Sequence, residues 1–97
     1  MVTFKETISR TIVKAFEKDD IEGYKVVGNA TYNKNNKLAD ANGSVREGDS
    51  IISNFNIYGE GENTRINLTD CLAGRMSDAV SIAKATLADL AASYPEE

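Results

Sequence analysis

The sequence predicts one α+β domain over residues 1–97, in which an N-terminal helix, a four-stranded antiparallel meander and a long C-terminal helix follow one another. Both helices are expected on one face of the sheet. Apolar residues recur at helical spacing near each end, the middle of the chain alternates with a period of two, and turn-forming clusters separate the alternating runs. With 41% apolar and 27% charged residues and a single proline, the chain has the composition of an ordinary globular domain.

Thr3 followed by Glu6 matches a capping box, and Phe4, Ile8, Thr11, Ile12 and Ala15 then fall on one stripe. This spacing predicts a first helix over residues 4–18, with Glu17 to Gly23 as its acidic, glycine-terminated exit. The β-branched Thr3, Thr7, Ile8, Thr11, Ile12 and Val13 argue for a strand instead. The Phe4, Ile8, Ile12 spacing decides for the helix.

From Tyr24 the period is two, and a strand over 24–33 turns Tyr24, Val26, Gly28, Ala30 and Tyr32 toward one face. Asn33 to Lys37 have turn composition, a second strand runs over 38–46, Glu47 to Asp49 form a turn, and a third strand covers 51–58. A two-residue turn at Gly48-Asp49 would set Asn42 opposite Phe55, a polar group against the apolar face. A three-residue turn slips the pairing by one, so that Ala39, Ala41, Gly43 and Val45 share a face with Ile51, Ser53, Phe55 and Ile57, and the odd-length turn is expected. Gly59 to Asn63 form a loop, and a fourth strand over 64–68 faces Ile66 and Leu68 inward. The small residues Ala39, Ala41 and Gly43 let a helix approach closely.

A closing helix is expected over residues 70–94, capped by Thr69 or Asp70 and stopped by Pro95. Leu72, Met76, Val80, Ala83, Leu87, Leu90 and Tyr94 form its apolar seam. Gly74 costs about 1 kcal/mol relative to alanine and marks a kink or a restart capped by Ser77.

The net charge of −4 and pI near 4.8 disfavour non-specific binding to polyanions. No apolar run approaches a membrane span, the first residues lack a signal-peptide layout, and a cytoplasmic location is expected. The chain has no histidine, which excludes Ser-His-Asp and Cys-His chemistry and imidazole proton transfer. Cys71 stands alone, so this chain forms no internal disulfide and no cysteine zinc cage, and a packed, unreactive thiol is expected. Gly59 and Gly61 lack the rest of a nucleotide-binding fingerprint. The carboxylate pairs Asp19 and Asp20, Glu60 and Glu62, and Glu96 and Glu97 lie in turns or at the end of the chain, where water keeps them ionised. A cation site built from Asp49, Glu60 and Glu62 needs two loops to converge, and solvation of the three is the simpler expectation. No enzyme activity, cofactor or metal is expected.

Two surfaces are left for a partner. The sheet face away from the helices carries Lys25, Asn29, Thr31, Asn33, Asp40, Asn42, Ser44, Arg46, Asn54, Asn56, Tyr58, Arg65 and Asn67. Of these, Lys25, Arg46, Asn54, Asn56, Tyr58, Arg65 and Asn67 are the candidate contacts for a polar partner such as single-stranded nucleic acid. The back of the last helix carries few charges and a strip of small residues, with Ser81, Ala85, Ala88 and Ala92 as the candidate interface with another helix. The first expectation is a non-enzymatic interaction or assembly protein acting as a homo-oligomer through this helix, with another protein as a possible partner. The alternative is an accessory single-stranded nucleic-acid-binding domain.

Overall fold

The structure, a computed structural model, describes residues 2–9, 12–33, 37–59 and 61–92, without the side chains of residues 5–9. Strands β1 (Val2–Ser9), β2 (Ile12–Ile21), β3 (Tyr24–Tyr32), β4 (Leu38–Glu47), β5 (Ser50–Tyr58) and β6 (Arg65–Thr69) precede helix α1 (Met76–Ala92). They form a six-stranded antiparallel sheet in chain order, β1 to β6. The expected four strands are β3 to β6.

The expected N-terminal helix over residues 4–18 does not form, and β1 and β2 take its place, so the helix pair and the four-stranded description are both corrected. Phe4 pairs with Phe16, and Ile12, Lys14, Phe16 and Lys18 lie opposite Tyr32, Ala30, Gly28 and Val26. The alternation was disguised because Lys14 and Lys18 occupy inward positions. Lys18 remains only 5% exposed, and its ammonium meets Asp89 of α1 and lies 2.7 Å from Asp20. The β-branched run therefore follows its intrinsic preference for extended backbone. The connecting residues Arg10 and Thr11 lie outside the described residues, as do Lys34 to Asn36 of the expected Asn33 to Lys37 turn.

The β4–β5 register pairs Ala41 with Ile57, Gly43 with Phe55 and Val45 with Ser53, so these residues share a face as expected, but two residues out of step with the three-residue turn, which would pair Ala41 with Phe55 and Gly43 with Ser53. The device differs. Glu47 pairs with Ser50 and Arg46 with Ile51 across a two-residue Gly48-Asp49 turn, so Ile51 does not take its expected place on the inner face, and the register shift that brings Ser53, Phe55 and Ile57 onto that face falls between Val45 and Arg46, where Ile52 is the extra residue of a bulge. Gly48 has φ of 62°, the positive value that a primed hairpin turn requires at its first position. The bulge buries Ile52 and leaves Ile51 exposed.

The expected helix over 70–94 is also shortened. Asp70 turns the chain at φ 52°, Ala73–Arg75 make a 3-10 turn, and regular helix begins at Met76, so Thr69 and Asp70 are not its caps and Ser77 lies inside it. Gly74 sits in the 3-10 turn, at the predicted break. Tyr94 and Pro95 lie outside the described residues.

The expected seam is rotated. Ala79, Ile82, Ala83, Thr86 and Leu90 are buried, whereas Leu72, Met76 and Val80 are 50%, 56% and 39% exposed. The reason lies in the sheet beneath. Phe4, Phe16, Gly28, Gly43, Phe55 and Leu68 form one cross-strand row on the helix face, flanked by the buried Ala30 and Ala41. At its middle the backbones come so close that a Cβ on Gly28 would lie 2.0 Å from the Asn42 carbonyl oxygen, and one on Gly43 would lie 2.1 Å from that of Val27. Glycine at both positions permits a tight bend of the sheet, with aromatic rings on either side filling the space. Against this hollow the small Ala79 and Ala83 allow a close approach that Met76 and Val80 would prevent. The sheet curls far enough for α1 to touch β4, β5 and β6 and also β1 at the opposite edge.

Polar contacts fix the helix in this seat. The Tyr32 hydroxyl donates to the Leu90 carbonyl at 2.7 Å, which ties β3 to the last described turn of α1. Burial pushes the Tyr32 pKa up to about 12. The buried Thr86 hydroxyl donates back to the Ile82 carbonyl at 2.8 Å. Tyr24 donates to Asp78 at 2.9 Å, and Arg75 lies 3.2 Å from Glu47. The hydrogen bond from Lys18 holds the Asp89 carboxyl below its usual range, against the opposing effect of desolvation.

Candidate binding surfaces

The outer sheet face is organised by register. Asn29, Asn42, Asn56 and Asn67 are directly paired from β3 to β6, all exposed, and make one straight row across the strands. At a strand spacing of about 4.8 Å this is a regular ladder of amides, each offering donor and acceptor groups. On one side lie Val27, Ser44, Asn54 and Thr69, with the Ser44 hydroxyl donating to Asn54 Oδ1 at 2.7 Å. On the other lie Thr31, Asp40, Tyr58 and Arg65.

The candidate residues Asn54, Asn56, Tyr58, Arg65 and Asn67 are thus neighbours. Lys25 and Arg46 are paired with each other at the far end of β3 and β4, opposite the exposed Ile51. Lys25 is 3.2 Å from Glu17, and the buried Nε of Arg46 has no hydrogen-bond partner. The cations sit at two ends of a neutral centre and share the face with Glu17 and Asp40, so they do not make a continuous basic track. Asn29 and Asn42 complete the row but were outside the candidate set, because alignment across four strands appears only once each register is known.

The second surface lies along α1. The strip Ser81, Ala85, Ala88 and Ala92 runs along the outer side of the helix, with Ala85 half-buried and the others exposed. A different strip is more apolar. At about 100° per residue, Met76, Val80, Leu87 and Ala91 share one flank of the buried stripe, and Asp78 and Asp89 share the other. The acidic flank faces Tyr24 and Lys18. The apolar flank faces the β5–β6 side, where Leu87 and Ala91 join Leu38, Ala39, Ile57, Gly59, Thr64 and Lys37 around a cavity of about 400 Å³. Beside it β6 leaves Ile66 and Leu68 half-buried. Leu72, Met76 and Val80 were missed as surface residues because their size and spacing assigned them to the core. The competing pattern Ala79, Ile82, Ala83, Thr86, Leu90 was equally present, and its small residues were the signal.

Cys71 lies before the 3-10 turn, half-buried, with its thiol 3.6 Å from the Leu72 carbonyl. Asp49 and Glu62 are exposed, and Glu60 lies outside the described residues. Among the described residues no helix is long and apolar enough to cross a membrane. No protein-family model, curated protein or solved structure matches this chain.

Proposed function

We propose that this protein is a non-enzymatic assembly module that works as a homo-oligomer through the α1 side of the molecule. The observation that carries the reading is the exposure of Leu72, ahead of the 3-10 turn, and of Met76 and Val80 on the flank of α1, with half-buried Ile66 and Leu68 on β6, which α1 touches. A neighbouring copy gives these side chains the burial that their own fold withholds. Each is about half exposed, so covering it is worth roughly 1 kcal/mol, and three from each of two copies give about 6 kcal/mol. That is comparable with the lower estimates of the cost of association, so the strip supports an oligomer that also draws on other contacts. The strip Ser81, Ala85, Ala88 and Ala92 offers much less apolar area and ranks second.

Light scattering coupled to size exclusion tests the proposal. The protein is expected to be oligomeric at high micromolar concentration, monomeric when Val80→Lys and Met76→Lys are combined, and unaffected by Ala85→Lys with Ala88→Lys. A monomer at every concentration overturns it.

A second reading has its own observation. Tyr58 beside Arg65, next to the amide ladder, offers one stacking surface and one phosphate contact, which suits an accessory role on single-stranded nucleic acid. The separated cations rank this reading below assembly. Binding of labelled oligonucleotides at low salt, weakened by Arg65→Ala, supports it, and no binding there refutes it.

A further inference from the structure

Of the two edges of the sheet, one is blunted and, among the described residues, the other is not. The β1–β2 pairing is interrupted by register shifts between Phe4 and Thr7 and again between Thr7 and Ser9, and bulges of this kind blunt an edge against further pairing. The β5–β6 pairing runs from Asn54–Thr69 to Tyr58–Arg65 without a shift, and β6 contains neither proline nor lysine. Among the described residues, no backbone hydrogen bond from a turn or loop reaches it.

We infer that the partner at this edge is a second copy of the same chain, joined by antiparallel pairing of β6 with β6 about a two-fold axis at Asn67. The inference rests on the proposed self-association and names its geometry. Register follows from length and pleat. Only even-numbered slips keep the helix faces together, and for a strand of Arg65–Thr69 the slip with full overlap centres on Asn67. Ile66 then lies opposite Leu68 of the other copy on the apolar side, and Arg65 lies opposite Thr69, so no like charges meet. Asp70 of each copy follows directly after the residue paired with Arg65 of the other, which gives a complementary charge pair on both sides of the axis.

The consequence on the outer face is specific. Asn67 meets Asn67, and the Asn29, Asn42, Asn56, Asn67 rows of the two copies become one uninterrupted amide ladder across a continuous sheet. The apolar flank of α1 lies along the new seam. A polar polymer bound to this face would span both copies, so the extended site is complete only in the dimer.

Cysteine cross-linking tests the geometry. In a Cys71→Ser background, Asn67→Cys sets two thiols at the two-fold axis with Cα atoms about 4.5–5.5 Å apart, within the range a disulfide accepts. Mild oxidation should link this variant into a covalent dimer, while Asn56→Cys, one strand further in, and Ser81→Cys, on the outer side of α1, stay monomeric. Asn67→Lys should weaken dimerisation about tenfold or more, and Asn56→Lys should not. An oligomer seen by light scattering that cross-links through Ser81→Cys or Thr3→Cys but not Asn67→Cys overturns the β6 geometry and leaves self-association standing. A monomer by light scattering overturns both.

Discussion

Replacing Tyr32 with phenylalanine should remove the share of this protein's alkaline sensitivity that the buried Tyr32 phenol supplies. Tyr32 is 2% exposed, its hydroxyl donates to Leu90 near the end of α1, and burial raises its pKa to about 12 from the ordinary value near 10. The folded state therefore prefers the neutral phenol more strongly than the unfolded chain does. A raised folded-state pKa gives stability that is complete below pH 10 and is lost as pH rises toward 12. A rise from about 10 to about 12 corresponds to about 2.7 kcal/mol in the limit, and linkage gives a loss of about 1.4 kcal/mol by pH 11.

At neutral pH, Tyr32→Phe loses only the hydrogen bond, about 1 kcal/mol. The two stability curves should therefore converge as pH rises and meet near pH 11. The assay is urea unfolding followed by far-ultraviolet circular dichroism from neutral pH to pH 11, with tyrosine ionisation read from absorbance in parallel. Tyr24, whose pKa is also raised, chiefly through its hydrogen bond to Asp78, is present in both proteins and cancels in the difference. A pH slope for Tyr32→Phe equal to that of the parent protein would refute the assignment of Tyr32 as the group that couples β3 to α1.

Three further outcomes are expected. Gly28→Ala and Gly43→Ala each set a Cβ about 2 Å from a carbonyl oxygen and should cost more than about 3 kcal/mol in denaturant unfolding, whereas Gly74→Ala meets nothing within 4 Å and should change stability by less than about 1 kcal/mol. Asp89→Ala leaves the buried Lys18 with Asp20 alone and should destabilise by about 1–2 kcal/mol, discounted because Asp89 is 31% exposed. Because the Asp89 pKa is lowered, its contribution is present above the ordinary carboxylate pKa and is lost as pH falls through the lower folded-state value. Acid unfolding of Asp89→Asn should accordingly begin from a less stable state and show a shallower pH dependence.

The middle of this chain could be read from its sequence because one rule governs it. In β3 to β6 each inward residue is apolar or small, so a period of two is visible and a one-residue slip is recognisable as an error. The bulge at Ile52 is hidden in the sequence because a two-residue turn plus an extra strand residue puts Ser53, Phe55 and Ile57 on the same face as a three-residue turn does, although their partners differ by two residues and Ile51 moves to the outer face. At the N-terminus the rule was broken by Lys14 and Lys18, inward residues whose charges find partners elsewhere in the fold. In α1 the larger residues pointed to the wrong seam. What decides its rotation is the glycine hollow in the sheet, a property of β3 and β4 and not of the helix. The residues of the outer face can be named one by one from the alternation, but its ladder depends on three registers at once.

The most direct test of the central claim, that the chain assembles through its β6 and α1 flank, is amide hydrogen exchange of the unmodified protein at low and high concentration. Protection should rise with concentration in residues 65–69 and 72–80, and stay constant in β1 and over residues 81–92. A rise confined to residues 81–92, or none at all, would contradict the account.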